Sequence, residues 1–138
     1  MVHEEAPRDC PFYRLLGLEV VRFAEGTSEV RLRWQEALGN LSGSVHGGAL
    51  MALGDVGTAF AIFSQLPART ALVTVDLTMS FLAASRGSDL VCRGRAVRVG
   101  RRLATGEGKI EDSGGTLVAT CLVTFLVRDG EGAGGIRD

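Results

Sequence analysis

Residues 49–63 read Ala49-Leu-Met-Ala-Leu-Gly-Asp-Val-Gly-Thr-Ala-Phe-Ala-Ile-Phe63, and the reading of this stretch decides the fold. A single charge, Asp55, stands in the middle of an otherwise apolar run. The run is too short to span a bilayer, which takes about 20 predominantly apolar residues, and Gly54, Asp55 and Gly57 interrupt it. Its apolar residues lie all round rather than along one stripe. The sequence therefore predicts a helix surrounded by protein, ending near Gln65 before Pro67. Gly54 and Gly57 each weaken a helix by roughly 1 kcal/mol, so their expected use is the close approach of another backbone. Burying an unpaired carboxylate costs several kcal/mol or raises its pKa. Asp55 therefore needs a buried partner or has a chemical role.

Just upstream stands His46-Gly47-Gly48, with Asn40 six residues before the histidine. Ser42 or Ser44 is expected to cap the helix. Gly47 and Gly48, lacking a Cβ, leave the first-turn N–H groups open. Together with the positive end of the helix dipole, those groups favour an oxyanion or a polarised carbonyl. Gly47 and Asp55 are eight residues apart, about 12 Å along a helix, whereas groups acting on one carbonyl must each come within roughly 3 Å. If both are catalytic, two copies of the helix lie side by side and antiparallel, and the site is shared across a two-fold dimer.

At 138 residues the chain is read as one domain with a sizeable core. A formal net charge of −1 gives no overall basicity to suggest nucleic acid. The start of the chain is mixed in charge and lacks an apolar core, so no secretory signal is expected. Cys10, Cys92 and Cys121 have no metal-ligand spacing, and His3 and His46 are the only histidines, so no metal site is expected. Reduced thiols in a cytoplasm fit this usage. Cys92 and Cys121 fall in strand-like runs and are expected to be small buried hydrophobes.

Residues 1–10 are expected to be a flexible N-terminus and 128–138 a disordered tail, with the domain at 11–127. Pro11 to Gly17 reads as a short helix, with Asp9 a candidate cap and Gly17 its stop. Strands are predicted at 18–23, 27–34, 70–81, 89–99, 102–111 and 116–127. Ser28, Val30, Leu32 and Trp34 alternate with Glu29, Arg31 and Arg33, the pattern of a half-buried strand. In 70–81, Val73, Val75, Leu77, Met79 and Phe81 alternate with Thr74, Asp76, Thr78 and Ser80, and parity leaves open which set faces the helix. Asp112-Ser-Gly-Gly115 predicts a hairpin turn. The order implies an α+β domain, a curved six-stranded antiparallel sheet wrapped around the long central helix. Such a layer leaves the helix half uncovered in a monomer, so its all-round apolarity implies a partner subunit.

With these residues in view the chain resembles the hotdog-fold acyl-CoA thioesterases of the phenylacetate-pathway type. The likeness runs from Pro11-Phe12 and Leu16-Gly17 through Asn40, His46-Gly47-Gly48, Asp55 and Thr74-Val75-Asp76 to Gly100-Arg101-Arg102. It implies hydrolysis of an acyl-CoA thioester in a homodimer with shared sites, paired again into a homotetramer, without metal or cofactor. By the same resemblance Asp55 is the nucleophile or general base and the Gly47 amide the oxyanion donor. Asn40 orients the water or the thioester, His46 supports the loop, and Thr74 helps position the water. Aromatic (phenylacetyl or hydroxyphenylacetyl) or medium-chain acyl groups are the implied substrates, with Val56, Thr58, Ala59 and the surroundings of Phe63 lining their pocket.

Each residue also has a plainer reading. Asp55 could be a buried acid satisfied by a neighbouring threonine, Asn40 a turn residue, and the glycines mere packing contacts. In the basic stretch, Arg93 and Arg95 read as a solvated strand face, whereas Arg101 and Arg102 at a strand turn suit CoA phosphates, with Arg86 a second candidate. A non-catalytic acyl-CoA-binding or sensing protein on the same fold is the alternative function. A dehydratase ranks below it, because His46 is the only histidine in the domain.

Overall fold

The structure, a computed structural model, describes residues 8–129. Helix α1 (Pro11–Leu16) precedes strands β1 (Leu18–Ala24) and β2 (Thr27–Leu32), and a 3-10 turn at Glu36–Leu38 leads to helix α2 (Gly47–Phe63). Strands β3 (Ala71–Phe81), β4 (Leu90–Val99), β5 (Leu103–Asp112) and β6 (Leu117–Arg128) follow. The sheet order is β1-β2-β4-β5-β6-β3, antiparallel throughout, so β1 and β3 are its free edges. Helix α2 touches all six strands. This is the sheet wrapped on one long helix that the sequence predicts, and the hotdog arrangement that the resemblance implies.

The differences from expectation are local. Strand β2 stops before Trp34, whose N–H turns to the Asp89 carboxylate at 2.8 Å. Asp9 does not cap α1. Its carboxylate accepts from Arg14 at 2.6 Å, and the cap position is Cys10, without a side-chain bond. The flexible N-terminus and disordered tail expected at 1–10 and 128–138 lie largely outside the described residues. Within them, Arg8 stacks 5.1 Å over the Phe23 ring and Arg128 pairs with Ala71 as the end of β6.

Helix and sheet meet almost backbone to backbone. A Cβ on Gly57 would stand 2.5 Å from the Cys92 sulfur, and one on Gly94 would strike the Gly57 carbonyl. That carbonyl accepts from the buried Ser28 hydroxyl at 2.5 Å. Buried Thr58 likewise donates to the Gly54 carbonyl at 2.8 Å and Ser64 to that of Ala61 at 2.6 Å, so these hydroxyls are satisfied inside the core. Around them Leu53, Phe60 and Ile62 of α2 pack on Val30, Ile110, Val123 and Phe125 of the sheet, all fully buried. Cys92 and Cys121 are free, buried thiols in this layer, as expected.

The sheet bends around α2 through four register shifts, whose extra residues are Val21, Val75, Val97 and Val118. Bulges bend a strand and increase its twist. The one in β3 also reverses parity. Thr74 reaches α2 before the bulge, and Met79 and Phe81 reach it afterwards, which strict alternation forbids. On α2 itself, Gly48, Met51, Ala52, Asp55, Ala59 and Phe63 recur every three or four residues and are exposed or half-buried. They form a stripe turned away from the sheet, so a single chain leaves the helix partly uncovered. No helix among the described residues is long and apolar enough to cross a membrane.

Gly57→Ala gains helix propensity but forces a Cβ against Cys92, on a strand that cannot retreat. We expect a net loss of about 1–3 kcal/mol, read as a lower denaturant midpoint at unchanged slope. Gly54→Ala should cost less, because its Cβ would meet the flexible end of Met79 at 2.7 Å and the Cys121 sulfur at 2.9 Å, both farther off than the Cys92 sulfur is from Gly57.

Candidate active site

The start of α2 is capped by His46, not by Ser42 or Ser44. The histidine backbone is extended, and its Nδ1 accepts the Gly48 N–H at 2.8 Å. Its carbonyl accepts from Ala49 at 3.0 Å and Leu50 at 3.2 Å. Nδ1 must be unprotonated to accept, so the ring is the Nε2–H tautomer. The two serines are engaged elsewhere. The side-chain oxygen of Asn40 accepts from the Ser42 N–H at 3.0 Å, the Ser42 hydroxyl at 2.9 Å and the Ser44 N–H at 3.0 Å. Asn40 is therefore the organiser of the turn, and its NH2 has no hydrogen-bond partner among the described residues.

Gly47 is the first residue of the helix, and its N–H has no acceptor among the described residues. It points from the positive end of the dipole. A Cβ here would stand 3.3 Å from the Phe81 ring, a tight contact at the mouth of the amide. Gly47 and Asn40 share a cavity of about 440 Å³ whose walls include Ser44, Phe81 and Leu82. Sequence reasoning gives none of these three a place in the site, Ser44 being expected as a helix cap. Phe81 joins the wall through the parity reversal in β3, which has no sequence marker, whereas Ser44 is placed by the Asn40 turn, which Asn-x-Ser-x-Ser chemistry could have suggested.

Asp55 lies two turns further along, half-buried in the open stripe. Thr74, across on β3, donates to its Oδ1 at 2.7 Å. Burial raises the Asp55 pKa above the ordinary carboxylate value, and the Thr74 hydrogen bond opposes the rise without cancelling it. Burial also pushes the nearby Cys121 thiol up to about 11, and the Asp55 charge adds to that rise. Of the predicted residues, Asn40 with Gly47 and Asp55 with Thr74 thus form two separate half-sites on one helix. His46 stands at the first as its cap. Val56 and Thr58, expected in the acyl pocket, are buried against the chain's own sheet, leaving Ala59 and Phe63 on the open stripe.

The arginines fall into groups by what they touch. Arg93 pairs with Glu29 at 2.9 Å and Arg95 with Glu107 at 2.6 Å, both across neighbouring strands. Arg101 and Arg102 are exposed in the β4–β5 turn. The row Thr74, Phe125, Ala104, Val99 across β3, β6, β5 and β4 puts that turn at the Asp55 end of the sheet. Arg86 donates to the Ser42 carbonyl at 2.5 Å, beside the Asn40 turn.

Known proteins share this architecture. The Pseudomonas aeruginosa protein PA0474, named as a supposed esterase, is 36% identical over 121 residues, spanning 86% of this chain and 89% of that protein. The structure of conserved protein PA5202 from the same species superposes with a TM-score of 0.83 at 31% identity, covering 87% of this chain and 95% of the other. A variant of the phenylacetic acid degradation protein PaaI from Thermus thermophilus superposes with a TM-score of 0.75 at 30% identity, covering 85% and 98%. A sequence model of the thioesterase superfamily matches residues 42–119, which hold the Asn40 turn's serines, Gly47, Asp55 and Thr74. With that match covering more than half of the chain, the protein belongs to the thioesterase superfamily.

Proposed function

We propose that this protein hydrolyses acyl-CoA thioesters carrying aromatic (phenylacetyl or hydroxyphenylacetyl) or medium-chain acyl groups, in the cytoplasm, as a homodimer with two shared sites. The observation that carries this is the presence on one helix of an open amide at Gly47 and a half-buried carboxylate at Asp55, about 12 Å apart. That separation is too long for one carbonyl. An antiparallel second copy of α2 brings Gly47 of the partner subunit to Asp55. The uncovered stripe of α2 and the free edge of β3, where Val75 is 61% exposed, support such a partner. Two such dimers pair into the tetramer that the resemblance implies.

The chemistry follows from the two half-sites. Thr74 holds Oδ1 of Asp55, leaving Oδ2 to take a proton from water. The water oxygen bonds to the thioester carbon, and the Gly47 N–H receives the developing oxyanion, an interaction whose loss typically costs 10²–10³-fold in rate. The Asn40 NH2 orients the thioester. Collapse breaks the C–S bond, the proton held on Oδ2 passes to the departing sulfur, and the free acid and the CoA thiol leave with Asp55 ionised again. Arg101 and Arg102 take CoA phosphates, with Arg86 the second candidate. The direct Thr74–Asp55 bond favours this reading over a non-catalytic acyl-CoA sensor, which has no use for a poised carboxylate.

Wild-type protein should release thiol from an acyl-CoA panel, and Asp55→Asn should lower turnover at least ~100-fold. Binding of acyl-CoA without thiol release would identify a sensor instead. Replacing Arg101 and Arg102 by Ala should raise KM much more than it lowers kcat. An unchanged KM removes them from the nucleotide site.

The pH dependence has a definite sign. A raised carboxyl pKa means that the folded protein holds the proton more tightly. The Asp55 contribution to stability is then full below the ordinary carboxylate pKa and lost as pH rises through the raised one. Asp55→Asn should therefore raise, not lower, Tm at neutral pH. Activity needs the ionised form and falls as pH drops through the raised pKa. Thr74→Val removes the bond favouring that form, so the acid limb of kcat/KM should move to higher pH. A limb that stays in place contradicts the Thr74 assignment.

A further inference from the structure

The segment that follows β3 has small side chains, Ala83-Ala84-Ser85, and reaches Arg86 before Gly87 turns the chain at φ +62°. It is tied down at both ends. The Leu82 and Ala83 N–H groups share the Val118 carbonyl of β6, at 2.8 and 3.2 Å. The carbonyl of buried Ser85 accepts the Val45 N–H at 2.9 Å, one residue before the His46 cap of α2. Leu82, Ala83 and Ala84 also wall the cavity that holds Asn40 and Gly47. Arg86 thus leaves a braced stretch of backbone beside the Asn40 turn.

That turn is closed mostly from within. The Asn40 N–H donates to the Ser44 carbonyl at 2.7 Å, and the Gly43 N–H to the Asn40 carbonyl at 3.1 Å. Gly43, at φ +82°, occupies the left-handed region that glycine enters without a Cβ clash. The Ser42 carbonyl is left over. No backbone N–H among the described residues reaches it, and its donor is Nη1 of Arg86. Arg86 therefore holds from outside the same residue whose N–H and hydroxyl Asn40 Oδ1 holds from inside. A Cβ on Gly43 would lie 3.5 Å from Nη1, so the guanidinium lies over the turn. It forms no ion pair with a described carboxylate, and its side chain is exposed, so little of the global stability rests on it. What it fixes is local. With Ser42 released, the Asn40 amide loses two of the three donors that set its plane.

We propose that Arg86 is a positioning residue: by holding the Ser42 carbonyl it keeps the Asn40 NH2 aimed at the thioester, in place of the phosphate contact considered for it above. The proposal rests on the thioesterase reading and assigns Arg86 within that same site.

Arg86→Ala should lower kcat about ten-fold, less than the ~10²-fold cost of a full 1 Å misplacement. KM for acyl-CoA and Tm should stay as in the wild type. An acyl thioester of a short thiol, which lacks the nucleotide, should suffer the same loss. The double variant with Asn40→Ala should be no slower than Asn40→Ala alone, because Arg86 acts through Asn40. Amide hydrogen exchange at Asn40 and Gly43 should quicken in Arg86→Ala while that of α2 is unchanged. A rise in KM confined to CoA substrates makes Arg86 a phosphate ligand, and losses that multiply in the double variant detach it from Asn40. Either result overturns the proposal, as does an unchanged kcat, and each leaves Asp55-dependent hydrolysis intact. Absence of Asp55-dependent thiol release from every acyl-CoA in the wild type overturns the thioesterase reading, and this proposal with it.

Discussion

The contact on which the structure depends is the seat of α2 on the sheet. Gly94 passes under the Gly57 carbonyl, which also accepts the Ser28 hydroxyl at 2.5 Å, and no side chain stands between. Close packing at this point leaves little freedom in helix height or rotation. It sends Leu53, Phe60 and Ile62 into the core and leaves Met51, Asp55, Ala59 and Phe63 on the outward stripe. A helix held further off by ordinary side chains would place Asp55 out of reach of β3, and the 2.7 Å bond from Thr74 would not form.

Two opposing effects then set the state of that carboxylate. Removal from water disfavours its charge, and one hydroxyl donor favours it; burial is the larger, so the group is a stronger base than an exposed aspartate. The cost falls on stability, and under the proposed function the benefit falls on proton transfer. At the N-terminus of α2 the arrangement is complementary. His46 satisfies the Gly48 N–H, and Gly47 is left with an unmatched donor in the field of the helix terminus. A half-buried carboxylate and an open amide are thus built into one helix, about two turns apart.

The sequence was most legible where one residue type decides. Gly54 and Gly57 announced close approach, Asp55 announced a special environment, and the order of periodic segments gave the sheet wrapped on a helix. Arg93 and Arg95 read as a solvated strand face and are exposed there, each also ion-paired to a glutamate of the adjacent strand that the pattern did not name. Where geometry accumulates over several residues, reading was harder. An extra valine in β3 flips the strand by one register, so Thr74 and Met79 reach the same helix although their parity differs. The helix cap was missed because histidine is not a usual cap residue, and the serines expected there are tied to Asn40. Val56 and Thr58 were assigned to the pocket because an all-round apolar helix does not disclose which side is its sheet side. Only the sheet decides that.

The central claim is that each site takes its base from one chain and its oxyanion donor from another, and mixing two inactive variants tests it most directly. Gly47→Pro deletes the donor N–H at a first-turn position where proline is tolerated, and Asp55→Asn deletes the base. In a mixed dimer one site carries both lesions and the other carries neither. Random subunit exchange makes about half of the dimers mixed, so activity should return to about a quarter of wild type if sites act independently. Variants that fold and exchange subunits, yet remain as inactive together as apart, would contradict the shared site.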